Sequence, residues 1–154
     1  MVTQPIEHRA TIDIAAPPER VWALVADVTR VGEWSPECVR AVWHDGWDSP
    51  VVGAEFSGTN KAGEFEWTVP CRVLECEPGK VFAFVAPITL DDDADRSIWR
   101  YEFAASDAGC TVTESFHAPL LNLEGSPSNF EGRYESLCDG VAATLAGLKA
   151  AAER

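Results

Sequence analysis

The stretch SPSNFEGRYESLCDGVAATLAGLKAAAER, residues 126–154, decides the fold. Its apolar residues Phe130, Tyr134, Leu137, Val141, Leu145 and Leu148 recur every three or four positions, while Glu131, Arg133, Glu135, Asp139 and Lys149 fall mostly elsewhere. That spacing predicts one amphipathic helix, opened by Ser126 as N-cap and Pro127 in the first turn. A helix of about 26 residues is about 39 Å long, enough to cross a whole sheet.

Working backwards, about eighty residues carry period-two patterning, broken at Asp45-Gly46, Ala62-Gly63, Pro78-Gly79 and Ala108-Gly109. Six strands fit: Cys38 to His44, Ala54 to Lys61, Glu64 to Cys76, Lys80 to Ala86, Ser97 to Ala105 and Cys110 to Ala118. Gly58 suggests a bend or bulge in a curved sheet. Before them lies a strand from Ile6 to Ile14. It is followed by a helix that opens at Pro18 and buries Val21, Trp22, Leu24, Val25 and Val28. A short second helix holds Val31 and Trp34 and stops before Pro36. Residues 1–154 read as one α+β domain: a curved seven-stranded antiparallel sheet around a long C-terminal helix, with two short helices between strands 1 and 2.

Composition narrows the function classes. The chain has 154 residues, 46% of them hydrophobic, with six Trp and seven Phe, so a core forms with aromatic rings to spare. A formal charge of −13 repels phosphate backbones and anionic lipid surfaces, which argues against nucleic acid and against stable membrane anchoring. Five Cys without a Cys-x-x-Cys pair suggest reduced thiols in the cytoplasm rather than a disulfide framework or a zinc site. The three His are too dispersed for a metal centre, and the run Asp91-Asp92-Asp93-Ala94-Asp95 lacks the spacing of a cation loop. Gly-rich phosphate cradles are missing, so no cofactor is expected.

Alternation sets the faces. Phe65, Trp67, Val69, Cys71 and Val73 share one face of their strand and Trp99, Tyr101 and Phe103 share that of another, with Phe56 joining them. These rings either fill a core or wall a pocket at the mouth of the sheet. In the last strand Cys110, Val112, Glu114, Phe116 and Ala118 point one way. If that face is inward, Glu114 is a carboxylate in apolar surroundings and must be neutralised or paired. It is then a general acid or base, a ligand anchor, or half of a structural pair with Arg133, Tyr134 or Trp99. His117 falls on the opposite face, and His8 and His44 read as exposed. Ser115 and His117 lack a nucleophile elbow and an orienting acid, so a hydrolase triad is rejected.

The order of strand, two helices, six strands and long helix resembles the START-like (SRPBCC), polyketide cyclase-type superfamily that includes the birch-pollen allergen fold. Ile12 to Asp27, Trp34-Ser35-Pro36-Glu37, Trp99 to Phe103 and Gly109 to Phe116 carry the resemblance. It implies a helix-grip fold with a cavity for a small hydrophobic ligand. Expected lining residues are Phe56, Phe65, Trp67, Trp99, Tyr101, Phe103, Phe116, Phe130, Tyr134 and Leu137. Two functions stand open: a binder of a lipid, polyketide or aromatic molecule, and an aromatase/cyclase-type enzyme with Glu114 as its catalytic group, helped by Asn60, Thr68, Arg133 or Tyr134. A third, a protein-interaction domain acting through its acidic surface, has no specific residue behind it.

Overall fold

The computed structural model describes residues 2–90 and 95–154; most of the expected acidic loop, Asp91 to Ala94, lies outside them. Strand β1 (Glu7–Ile14) leads into α1 (Pro18–Ala26), where Pro18 supplies a pre-set φ and Glu19 complements the helix dipole. The chain leaves α1 at Asp27, whose side chain accepts from the Thr29 amide and caps a 3-10 helix over Val28–Glu33.

The remaining strands are β2 (Cys38–Trp43), β3 (Glu55–Ala62), β4 (Phe65–Glu77), β5 (Val81–Ala86), β6 (Ser97–Ser106) and β7 (Gly109–His117). They form one antiparallel sheet in the order β1-β7-β6-β5-β4-β3-β2, so the first strand closes onto the last. Gly109 makes the β6–β7 turn possible. Its φ is 135°, and a Cβ there would sit 2.7 Å from the Ala16 amide nitrogen, so only glycine fits. The pairing runs through Gly58 without a break; the register shifts instead on its neighbours, at Cys38/Arg40 in β2 and Val73/Glu75 in β4. The irregularities expected at the glycine thus fall on the flanking strands.

Helix α2 (Arg133–Ala152) packs Leu137, Val141, Leu145, Leu148 and Ala152 onto the concave face. It is 20 residues long and begins six residues later than the sequence suggests. Ser126 does cap, but it caps a turn: its hydroxyl accepts from the Ser128 amide at 3.1 Å. Gly132, at φ 86°, then interrupts the helical path. The first turn of α2 is capped from elsewhere. Gln4 accepts from the Tyr134 amide through Oε1 (2.8 Å) and donates through Nε2 to the Leu121 carbonyl (3.2 Å), while its own amide donates to Asn122 Oδ1 (2.8 Å). Residue 4 therefore clasps both ends of the segment between β7 and α2. Further along, Gly147 lets α2 approach the preceding layer, since a Cβ there would lie 2.1 Å from the Trp34 carbonyl oxygen.

Candidate functional site: a cavity with a buried carboxyl

Between the concave sheet, the Val28–Glu33 turn, α2 and the 120–128 segment lies a cavity of about 810 Å3, within the size range of small-molecule sites. Strand parity positions its walls. Phe56 on β3 opposes Cys71 on β4, Asn60 opposes Trp67, and Phe84 on β5 opposes Trp99 on β6. All six border the space, and consecutive residues Trp67 to Cys71 border it, so the β4 backbone itself contributes there. From α2 come Leu137, Gly140, Val141 and Thr144; a Cβ on Gly140 would meet nothing within 4 Å, so that glycine leaves volume to the cavity.

Glu114 is the polar exception. It is 2% exposed and shares a rung with Tyr101, which in turn lies opposite Phe82. On its other side the rung partner is Ala10, too small and apolar to help. The Tyr101 hydroxyl donates to Oε2 at 2.9 Å, whereas Oε1 is buried with no hydrogen-bond partner. Burial outweighs the tyrosine's hydrogen bond and pushes the Glu114 carboxyl up to about 8, so it keeps its proton at neutral pH. Tyr101 is pushed well above its usual range by the same burial and by the carboxyl beside it. Its ring is steadied by Trp34, edge-on at 6.2 Å, whose Nε1 donates to the Leu24 carbonyl. The thiols of Cys38 and Cys71, also on the wall, are pushed by burial to about 11 and about 12 and stay neutral.

The structure gathers Phe56, Trp67, Trp99, Tyr101, Glu114 and Leu137 around the cavity and places the other five expected residues elsewhere. Phe65 is 66% exposed at the start of β4, stacked on Trp67 where no element covers it. Phe130 precedes the helix, is half exposed and lies under the Arg133 guanidinium. Phe103 and Phe116 are buried but belong to the packed core, and Tyr134 covers Phe116 edge-on at 6.2 Å. His8, read as exposed, is half-buried and packs against both Phe116 and Tyr134. His44 is likewise partly buried, bonded to Ser57 at 2.7 Å, while His117 lies on the outer face against Glu7. Neither Arg133, Tyr134 nor Trp99 pairs with Glu114; Tyr101 does. Of the four suggested helpers, Asn60, Thr68 and Arg133 border the cavity and Tyr134 does not. Sequence reasoning passed over Trp34, Phe82 and Phe84. The last two carried a usable signal, because they alternate on one face of a strand that must pair with the Trp99–Tyr101 strand.

No group of three or more metal-ligating side chains occurs among the described residues, and no helix among them is long and apolar enough to cross a membrane.

Comparison with known proteins agrees with this architecture. A protein from Chromobacterium violaceum superposes with a TM-score of 0.73 at 22% identity, covering 97% of this chain and 99% of that one. The Polyketide_cyc-like protein from Corynebacterium glutamicum is 30% identical with a TM-score of 0.61, covering 98% and 91%. The di-domain ARO/CYC of the steffimycin biosynthetic pathway is 17% identical with a TM-score of 0.69, and the match spans 96% of this chain but 50% of that protein. No curated protein matches. Residues 5–153 match the family described as polyketide cyclase/dehydrase and lipid transport, and the chain belongs to that family.

Proposed function

We propose that this member of the family is a single ligand-binding domain that holds a small hydrophobic molecule, a lipid, polyketide or aromatic compound, in its cavity. Phe56, Trp67, Trp99, Tyr101 and Leu137 serve as walls and Glu114 as polar anchor. One observation carries the reading: Oε1 of Glu114 is buried and unpartnered at the wall of a roomy, mainly apolar cavity. An unsatisfied buried polar atom costs about 1–3 kcal/mol, and a ligand oxygen or hydroxyl placed against it removes that cost. Large rings supply area, and Trp and Tyr add one polar atom each for orientation.

A second reading, a cyclase-type enzyme, draws on a specific property of the same residue. A carboxyl that titrates at about 8 can both release and accept a proton near neutral pH, which suits general acid–base work in aldol closure and dehydration of a poly-β-keto chain. Tyr101 would hold Oε2 and leave Oε1 facing the substrate.

Both readings are tested together. Titration with flat hydrophobic compounds is expected to quench Trp fluorescence, and a flat response across a broad panel overturns the binding function. Glu114→Gln keeps the shape and a hydrogen-bonding head, so binding should survive within a few-fold while any cyclisation activity is lost. Cyclisation that continues at the wild-type rate in that variant removes Glu114 from the chemistry.

A further inference from the structure

We infer that the cavity selects uncharged ligands bearing a hydrogen-bonding oxygen and rejects carboxylates of the same shape; the inference rests on the binding function proposed above. Among the described residues, those bordering the cavity include three carboxyl groups, Glu37, Glu114 and Glu124, and one cation, Arg133. Arg133 is the first residue of α2 and is engaged there, donating to Ser136 Oγ at 3.2 Å with its guanidinium 6.0 Å over the Phe130 ring. Phe130 is itself half exposed, which places this cation at the rim rather than at depth.

Away from the rim the polar side chains include the Glu114 carboxyl, the Tyr101 and Ser97 hydroxyls, the Asn60 amide and the two neutral thiols, none of them a cation, and among the described residues Glu114 has no ion-pair partner. A ligand carboxylate entering this space gives up its hydration and meets nothing positive, the same predicament that keeps the protein's own carboxyl protonated. An uncharged carbonyl of the same shape gives up far less. It also gains a donor, since the protonated Glu114 has an O–H to offer while the Tyr101 hydroxyl is spent on Oε2. At the entrance the exposed Glu124, the half-buried Glu37 and the overall charge of −13 repel anions before desolvation begins.

The test uses three probes of one shape on the full chain, naphthalene, 2-acetylnaphthalene and 2-naphthoate, by isothermal titration calorimetry at pH 7. The ketone is expected to bind at least about tenfold more tightly than the carboxylate, given the cost of burying an unpaired charge. Naphthalene should bind measurably, more weakly than the ketone. Equal affinity of ketone and carboxylate, or a preference for the carboxylate, overturns the selectivity while leaving the binding function standing. Silence from all three probes overturns the binding function and the selectivity with it. Glu114→Gln separates the cause: its carboxamide still donates, so the preference should persist because it arises from the missing cation. Loss of the preference in that variant would trace it to a charge on Glu114 and overturn the inference.

Discussion

Strands β6 and β7 carry acidic residues on both faces, and the two faces treat them in opposite ways. On the concave side, Glu114 is 2% exposed, has one neutral partner and keeps its proton. One residue along β6 from Tyr101 on either side, on the convex side, Arg100 and Glu102 meet in an ion pair, and Arg100 also reaches Glu75 at 2.7 Å, with all three side chains at least a third exposed. The residue type is the same and the parity differs by one. Solvent, more than the carboxylate itself, decides whether the group is charged: water stabilises Glu75 and Glu102 even without Arg100, whereas nothing replaces it around Glu114.

The largest expected consequence is in the pH dependence of stability. An unfolded chain releases the Glu114 proton near 4.5, the folded one near 8. Below 4.5 both states hold it and the folded state suffers no penalty. Between the two values the unfolded chain alone sheds it, so stability falls as pH rises, levelling above 8 after a loss on the order of 5 kcal/mol. Glu114→Gln should remove this slope and be more stable than the parent at pH 9. Urea denaturation at pH 5, 7 and 9 reads it, and parallel curves for the two proteins would mean Glu114 is hydrated.

Tyr101→Phe probes the same rung more gently. It deprives the second carboxyl oxygen of its partner, with an expected loss of about 1–3 kcal/mol at pH 7 and a further rise in the Glu114 titration, since the tyrosine's hydrogen bond favours the ionised form. Observing the Glu114 carboxyl by NMR titration checks the second part independently of stability. The smallest effect belongs to the convex face. Arg100→Ala should cost less than about 1 kcal/mol and progressively less as salt is added. A loss rivalling that of Tyr101→Phe would erase the contrast between the faces.

How much of this was readable beforehand follows from which rules act locally. Parity along a strand is local, so the inward carboxylate at 114 and the ring faces of β4 and β6 could be read from alternation alone. Parity does not say whether the face is covered at a given position. Phe65 therefore shares a face with Trp67 and still lies in solvent, and Phe103 and Phe116 share theirs with Tyr101 and Glu114 yet belong to the packed core. The partner of Glu114 depends on the register between β6 and β7, a relation between distant residues that no single strand encodes. The start of α2 escaped for a comparable reason: Ser126-Pro127 and Gly132 are both local signals, and their competition is decided by Gln4, which lies 130 residues before the amide it caps.

That clasp also bears on timing. The segment from Asn122 to Gly132 forms part of the cavity's rim, and its two ends are fastened to the same residue, Gln4, with left-handed glycines at 125 and 132 inside the fastening. A rim held at both ends by one residue depends on that residue for its position. Replacing Gln4 therefore releases both ends at once, and the expected readout is a change in the rates of ligand association and dissociation.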